Sequence, residues 1–187
     1  MIHHHRGVVR PHLVVTAALL GALVGCGSEI KTPVASDAIQ SMEADQVIFG
    51  MKSFLTSRGV REGRVEADTA YMYADSAMAD LRQMRIVFYD IDGRERASVT
   101  GLRGSWGQAN DVMVARGDVV LLVFADSMTI ESQEIHYDPG LERIWSDSAT
   151  VQTMADGTVS TGSAFESDLS FENIRIKDMR GGARRVF

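Results

Sequence analysis

The chain has 187 residues, enough for one domain with a sizeable core and a tail or two. Apolar residues make up 45% and charged residues 24%, a balance that argues against a polytopic membrane protein and against wholesale disorder. The formal net charge is −6, which speaks against non-specific nucleic-acid binding.

The N-terminus does not belong to the fold. Arg6 and Arg10, with His3, His4, His5 and His12, form a basic start, and Leu13–Gly25 follows without a charge. As a helix that apolar run rises only about 20 Å, too short for a bilayer core of roughly 30 Å. Residues 1–25 therefore read as a secretory signal peptide. Their removal takes two arginines and no acid, leaving 17 basic against 25 acidic residues, net −8. Leu23-Val24-Gly25-Cys26 resembles the lipobox of bacterial lipoproteins, which implies that Cys26 is lipidated and becomes the first mature residue. Cys26 is the only cysteine, so no disulfide is expected. The histidines fall in the cleaved segment and read as cationic signal residues or a cloning remnant. Residues 26–43, polar and holding Pro33, read as a tether.

From residue 44 the pattern is that of strands. The stretch from Ala44 gives one, ending in a Ser57-Arg58-Gly59 turn. Arg64–Tyr73 alternates, with Val65, Ala67, Thr69, Tyr71 and Tyr73 on one expected face. Met84–Ile91 sets Met84, Ile86 and Phe88 against Val87, Tyr89 and Ile91. Asp92-Gly93 is a hairpin signal, Ala97–Leu102 returns, and Gly104–Gln108 reads as a loop. Val112–Ala115 leads into the clearest hairpin of the chain, Arg116–Asp138, whose apolar run Val119–Phe124 turns at Ala125-Asp126-Ser127. Asp138-Pro139-Gly140 turns again. Ile144–Thr153, Val159–Phe165 and Leu169–Lys177 are the remaining expected strands. No segment carries a long helical stripe, so the fold class is all-β.

The halves resemble one another. Val65-Glu66 corresponds to Ile130-Glu131, Asp92-Gly93 to Asp156-Gly157, and Thr100-Gly101 to Thr161-Gly162, at offsets of 65, 64 and 61. Strands added one after another are expected, in an elongated, twisted structure.

Catalytic chemistry finds little support. His136 is the only histidine after residue 12 and lies in an alternating strand. Ser105 lacks a nucleophile elbow. Asp90-Ile91-Asp92-Gly93 begins like a calcium loop but lacks its downstream oxygen ligands and closing glutamate. No metal or cofactor is expected, and the chain reads as a binding or conduit protein rather than an enzyme.

The segments Ala44–Ile48 with Gly50, Val65–Asp68, Val87–Gly93, Arg116–Leu121, Ile130–Ser132 with Tyr137-Asp138, Ile144–Asp147 and Thr161–Asp168, in that order, resemble the LptC family of the lipopolysaccharide-export bridge and, more distantly, its LptA/OstA relatives. The resemblance spans residues 44–180, with 181–187 left as a tail. One departure is the anchor: many family members keep a transmembrane helix where this chain has Cys26. The resemblance implies a β-jellyroll with a partly open apolar groove for lipopolysaccharide acyl chains. It implies receipt of the lipid from an inner-membrane LptB/LptF/LptG-type ABC transporter and transfer to an LptA-type periplasmic bridge protein. A lipoprotein in the periplasm, held at the inner membrane by its lipid anchor, is the expected location.

Alternation then names candidate groove residues: Val65, Ala67 and Tyr71; Ile86 and Phe88; Val119, Leu121 and Val123; Ile130; Phe165 and Phe171. The alternative for each is an ordinary packed core, and for the whole chain a lipid-anchored scaffold without a ligand. The last expected strand supplies a candidate docking edge, with Leu169, Phe171, Ile174 and Ile176. Arg82, Arg85, Arg94, Arg96 and Arg103 are candidates for lipid phosphates near a groove mouth, with a solvated face as the alternative.

Overall fold

The computed structural model describes residues 43–184. The signal segment, Cys26 and nearly all of the tether lie outside them. Twelve strands form one antiparallel sheet: β1 (Gln46–Ser57), β2 (Val60–Tyr73), β3 (Met78–Tyr89), β4 (Glu95–Gly107), β5 (Val112–Val123), β6 (Met128–Asp138), β7 (Arg143–Ser146), β8 (Thr150–Thr153), β9 (Thr158–Gly162), β10 (Ala164–Asp168), β11 (Arg175–Lys177) and β12 (Arg180–Arg184). Strands β1 to β6 pair in chain order. Beyond β6 the sheet forks: β7, β10 and β11 continue one branch, while β8, β9 and β12 continue the other. The sheet is open, because β1 pairs on one side only.

The turns follow from the chain's own chemistry. Arg58 and Gly59, at φ 49° and 80°, make the two-residue hairpin between β1 and β2, whose primed geometry matches strand twist. After β6, the Asp138 carboxylate accepts the amides of Gly140 and Leu141, an Asx turn in front of β7.

A line of kinks crosses strands β1 to β6. In β2, Gly63, Val65 and Ala67 are buried, and then Ala70; in β3, Ala79 and Leu81, and then Met84, Ile86 and Phe88. Strand β4 steps from Gly101 to Gly104, and β6 from Ser132 to Ile135. Each step is three residues where a flat strand takes two. The ladders skip a pair at the same level: Ala67↔Met84 is followed by Thr69↔Arg82, and Met84↔Gly101 by Arg82↔Arg103. Between β5 and its neighbours the register shifts outright. Left-handed residues turn the corner, among them Gly50 (φ 60°), Gln83 (49°), Gly117 (78°) and Asp118 (48°); bulges and bends are how strands pass from one sheet layer to another. We call this line the seam, and the half-sheets on its two sides leaves. Leaf A holds β7, β10 and β11, and leaf B holds β8, β9 and β12.

The seam corrects several expectations. Face assignment across Arg64–Tyr73 fails at Asp68–Thr69: Val65 and Ala67 are buried, but Tyr71 lies on the face opposite to Ala70 and Met72. Gly104–Gly107 is not a loop; β4 runs on through it, with Trp106 buried and its indole N–H donating to Asp111 at 3.0 Å. Ile144–Thr153 is two strands, one per leaf. The Ser146 hydroxyl accepts the Ser148 amide, and the Thr150 hydroxyl donates to the Ser148 carbonyl, local bonds that replace the ladder. Val159–Phe165 is likewise broken, at Ser163, whose hydroxyl bonds Asp178. Of Leu169–Lys177 only Arg175–Lys177 is strand. The Asp168 carboxylate accepts from the Ser170 hydroxyl, the Glu172 amide and the Asn173 side chain, and winds the rest into a loop. Arg180–Arg184, on the expected tail boundary, pairs with β9.

Candidate functional site

The two leaves face one another. In a flat sheet β3 and β6, three strands apart, would be separated by about 14 Å. Yet the Phe88 ring of β3 lies 5.3 Å from the Tyr137 ring of β6. Phe88 belongs to leaf B and Tyr137 to leaf A, so the sheet folds over at the seam and the inner faces of both leaves join one core. Register sorts the inner residues into rows. In leaf B the middle row runs Val65↔Ile86↔Val99↔Leu121↔Ile130, and the row nearest the free strand ends runs Gly63↔Phe88↔Ala97↔Val123↔Met128. In leaf A the corresponding end row runs Met72↔Ala79↔Trp106↔Met113↔Tyr137↔Ile144.

All the candidate groove residues except Tyr71 belong to this core, from Val65, Val119, Leu121 and Ile130 at 0% exposed to Phe171 at 5%. Tyr71 is half-buried on the outer face, with the Arg82 guanidinium 5.6 Å from its ring. The leaf A partners Leu81, Trp106, Met113, Ile135 and Tyr137 were missed; the slip in alternation at the seam is the signal that would have found them. Burial holds the Tyr137 hydroxyl far above its ordinary range, helped by Glu62, Asp111 and Asp138 and opposed by Arg96. Those groups come from both leaves.

The interior changes character along the sheet. From β2 to β5 its inner residues are apolar or glycine. From β6 onward the buried set includes Ser132, Ser146, Thr150, Ser160 and Ser167. Ser132 and Ser146 share a hydrogen bond of 2.9 Å, and Ser132 also reaches the Ala149 carbonyl.

The outer faces carry the charge. Arg82, Arg103 and Arg116 stand opposite one another on three adjacent strands beside the seam, with Glu134 next in register. Glu134 joins Arg116 and His136 at 2.6 Å each. Burial alone would raise the Glu134 pKa, but these two hydrogen bonds outweigh it and the carboxyl is lowered. His136 stacks on Trp145 at 5.1 Å, and Arg143 lies over that indole at 4.8 Å. Of the arginines considered for lipid phosphates, Arg94 sits in the Asp90–Arg94 turn at the free end of leaf B, paired with Asp92, whereas Arg82, Arg85 and Arg103 lie on the outer face. Val120 and Leu122, on the outer face of β5, and Phe124, in the turn just after it, are half-buried. Nearby Arg85 and Arg96 each keep Nε buried and unbonded, as long side chains do when their stems lie along apolar surface.

At its margins the sheet offers unpaired backbone. Strand β1 is a free edge over Gln46–Ser57, with Phe49 and Phe54 exposed on it. At the other end Ile176 lies in β11, while Leu169, Phe171 and Ile174 belong to the loop before it; Phe171 is buried and the others half-buried. Among the described residues no group of His, Cys, Asp and Glu could hold a metal ion, and no helix is long and apolar enough to cross a membrane.

Comparison with curated proteins finds no match. A solved structure, the crystal structure of LptH, the LptA-homologous periplasmic component of the lipopolysaccharide transport device from Pseudomonas aeruginosa, is similar at 16% identity and a TM-score of 0.49, over 61% of this chain and 80% of that one. Residues 13–181 match the model of the family described as lipopolysaccharide-assembly, LptC-related. The match takes in every described strand up to the start of β12, and the chain belongs to that family.

Proposed function

We propose that the chain carries lipopolysaccharide across the periplasm with the acyl chains held between its two leaves. It would receive the lipid from an LptB/LptF/LptG-type ABC transporter and pass it to an LptA-type bridge protein. The observation that carries this reading is the pair of inner faces folded together at the seam, apolar from β2 to β5, in a sheet that stays open at both ends. Alternating strands supply the continuous apolar wall an acyl chain needs. A free edge is a liability unless another strand is meant to add to it, and β1 and β11 are the edges proposed for the transporter and the bridge protein. Cys26 would hold the chain at the inner membrane through its lipid, with residues 26–43 as tether. Mass spectrometry of membrane-extracted protein should find diacylglycerol on Cys26; an unmodified N-terminus would sink the anchor.

Photocrosslinkers at Phe88 and Val123 should capture lipopolysaccharide in cells, well above labelling at the outward Thr100. Equal labelling would count against passage through the cleft. Ile176→Pro should abolish co-purification of the bridge protein while leaving the fold intact, and unchanged co-purification would refute docking at β11.

One observation favours a second reading. The candidate wall is packed tightly enough to be the core of a scaffold that binds nothing. Native mass spectrometry separates the two, with co-purifying lipid for the carrier and a bare chain for the scaffold.

A further inference from the structure

A cleft hinged at the seam should gape at the free strand ends, yet that is where its walls touch. Phe88 and Tyr137 occupy the end rows of the two leaves and meet at 5.3 Å. Phe171 closes on the same ring, its centroid 5.3 Å from that of Phe88. Phe171 comes from no strand: it sits in the loop between β10 and β11, at φ 62°, a conformation that is an outlier for a bulky residue. Such strain persists only where the surroundings impose it. Two things do so here. The ring is buried against Phe88, and the Asp168 carboxylate gathers the loop through Ser170, Glu172 and Asn173.

We propose that Phe171 is a latch: the β10–β11 loop swings its ring onto Phe88 to hold the leaves shut, and releases it when an acyl chain takes its place. The inference rests on the acyl-carrying reading. The loop suits the task because its neighbours β10 and β11 belong to the forked part of the sheet, where no strand ties the two leaves together. Releasing Phe171 relieves its backbone strain and leaves Phe88 and Tyr137 facing a vacated apolar slot. An acyl chain fills that slot with contacts of the same kind, so the exchange needs no external energy source. A closed latch lowers the apparent affinity for lipid by the fraction of molecules that are open.

The test is a titration of the purified full chain with cis-parinaric acid, a fatty acid that fluoresces when buried. Phe171→Ala should bind about tenfold more tightly than the unaltered chain, the factor expected when a state favoured roughly ten to one is removed. Asp168→Ala, which frees the loop without touching the core, should shift affinity the same way by a smaller factor. Amide exchange at Glu172–Ile174 should accelerate when the probe is added to the unaltered chain. Affinities equal to or weaker than that of the unaltered chain in both variants overturn the latch and leave lipid carriage standing. Exchange that slows on adding the probe does the same, since Phe171 would then be part of the bound wall. Binding by none of the three proteins overturns both the latch and the carrier reading.

Discussion

Strands β1 to β6 each run through both leaves, whereas every strand from β7 onward belongs to one leaf alone. In the first region one chain segment turns the corner at the seam, so the leaves are joined covalently strand after strand, and from β2 to β5 the interior between them is hydrocarbon. In the second, short strands alternate between leaves through the breaks at Ser146–Thr150 and Gly162–Ala164, and hydroxyls enter the buried face. The two regions divide the work of the fold. The continuous strands supply cohesion, through non-directional burial that grows with apolar area. The forked strands supply separability, because hydroxyl pairs such as Ser132 and Ser146 exchange their bonds for water at a net cost near 1 kcal/mol.

The contrast can be broken at four points. Leu121→Ala, in the middle row of the continuous region, should lower unfolding stability by about 2–5 kcal/mol in urea melts; a smaller loss would mean the interior collapses around the gap. Gly117→Val attacks the corner itself. Its φ of 78° and a Cβ only 3.3 Å from Leu102 Cβ add steric crowding to a left-handed strain of about 1–2 kcal/mol, so thermal melts should show a loss at or above that figure. Ser146→Ala, in the forked region, should cost about 1 kcal/mol. Amide exchange should confine the loosening to β7 and β8, and loosening that spreads to β3 or β4 would deny that the regions are separable.

The smallest effect is one of pH. Burial would raise the Asp168 pKa, but hydrogen bonds from Asn173, Ser170 and the Glu172 and Asn173 amides bring it below 3.8. A depressed carboxyl adds stability above its unfolded pKa and gives it up as pH falls through the folded one. The β10–β11 loop should therefore hold firm at neutral pH and begin to loosen only below 3.8. Exchange rates at Glu172–Ile174 would follow this, and a transition near neutrality would contradict it. Asp168 is only half-buried, so the effect on global stability should be slight.

The continuous region was also the more legible. The hairpin Arg116–Asp138 stands where the sequence places it, as do the turns at Ser57–Gly59, Asp92-Gly93, Asp138–Gly140 and Ala155–Gly157. The internal repeat lies at matching levels, with Val65 and Ile130 sharing a row through register and Asp92-Gly93 and Asp156-Gly157 both turning at the rim of leaf B. What escaped was the corner. Alternation counted straight through Asp68 put Tyr71 with Val65, although Ala67 followed by Ala70, and Leu81 followed by Met84, already recorded the slip. The forked region escaped for another reason. Its breaks are made by serine, threonine and aspartate side chains bonding neighbouring backbone, and such bonds leave no period in the sequence. The buried inner face was legible on leaf B, where phase was counted correctly, and on leaf A only at Phe165 of β10.

The seam has a consequence for how this sequence tolerates change. In an uninterrupted strand, gaining or losing one residue sends every later side chain to the wrong face. Here each strand from β1 to β6 restarts its count at the corner, so an error of phase is confined to one arm of one strand. Lengthening at Asp68 or Gln83 disturbs a corner already out of step, while the same change at Val65 or Ile86 misdirects the rest of that arm. The corner acts as a firebreak, and single-residue insertions scanned along β2 and β3 should be tolerated there and rejected a few positions away.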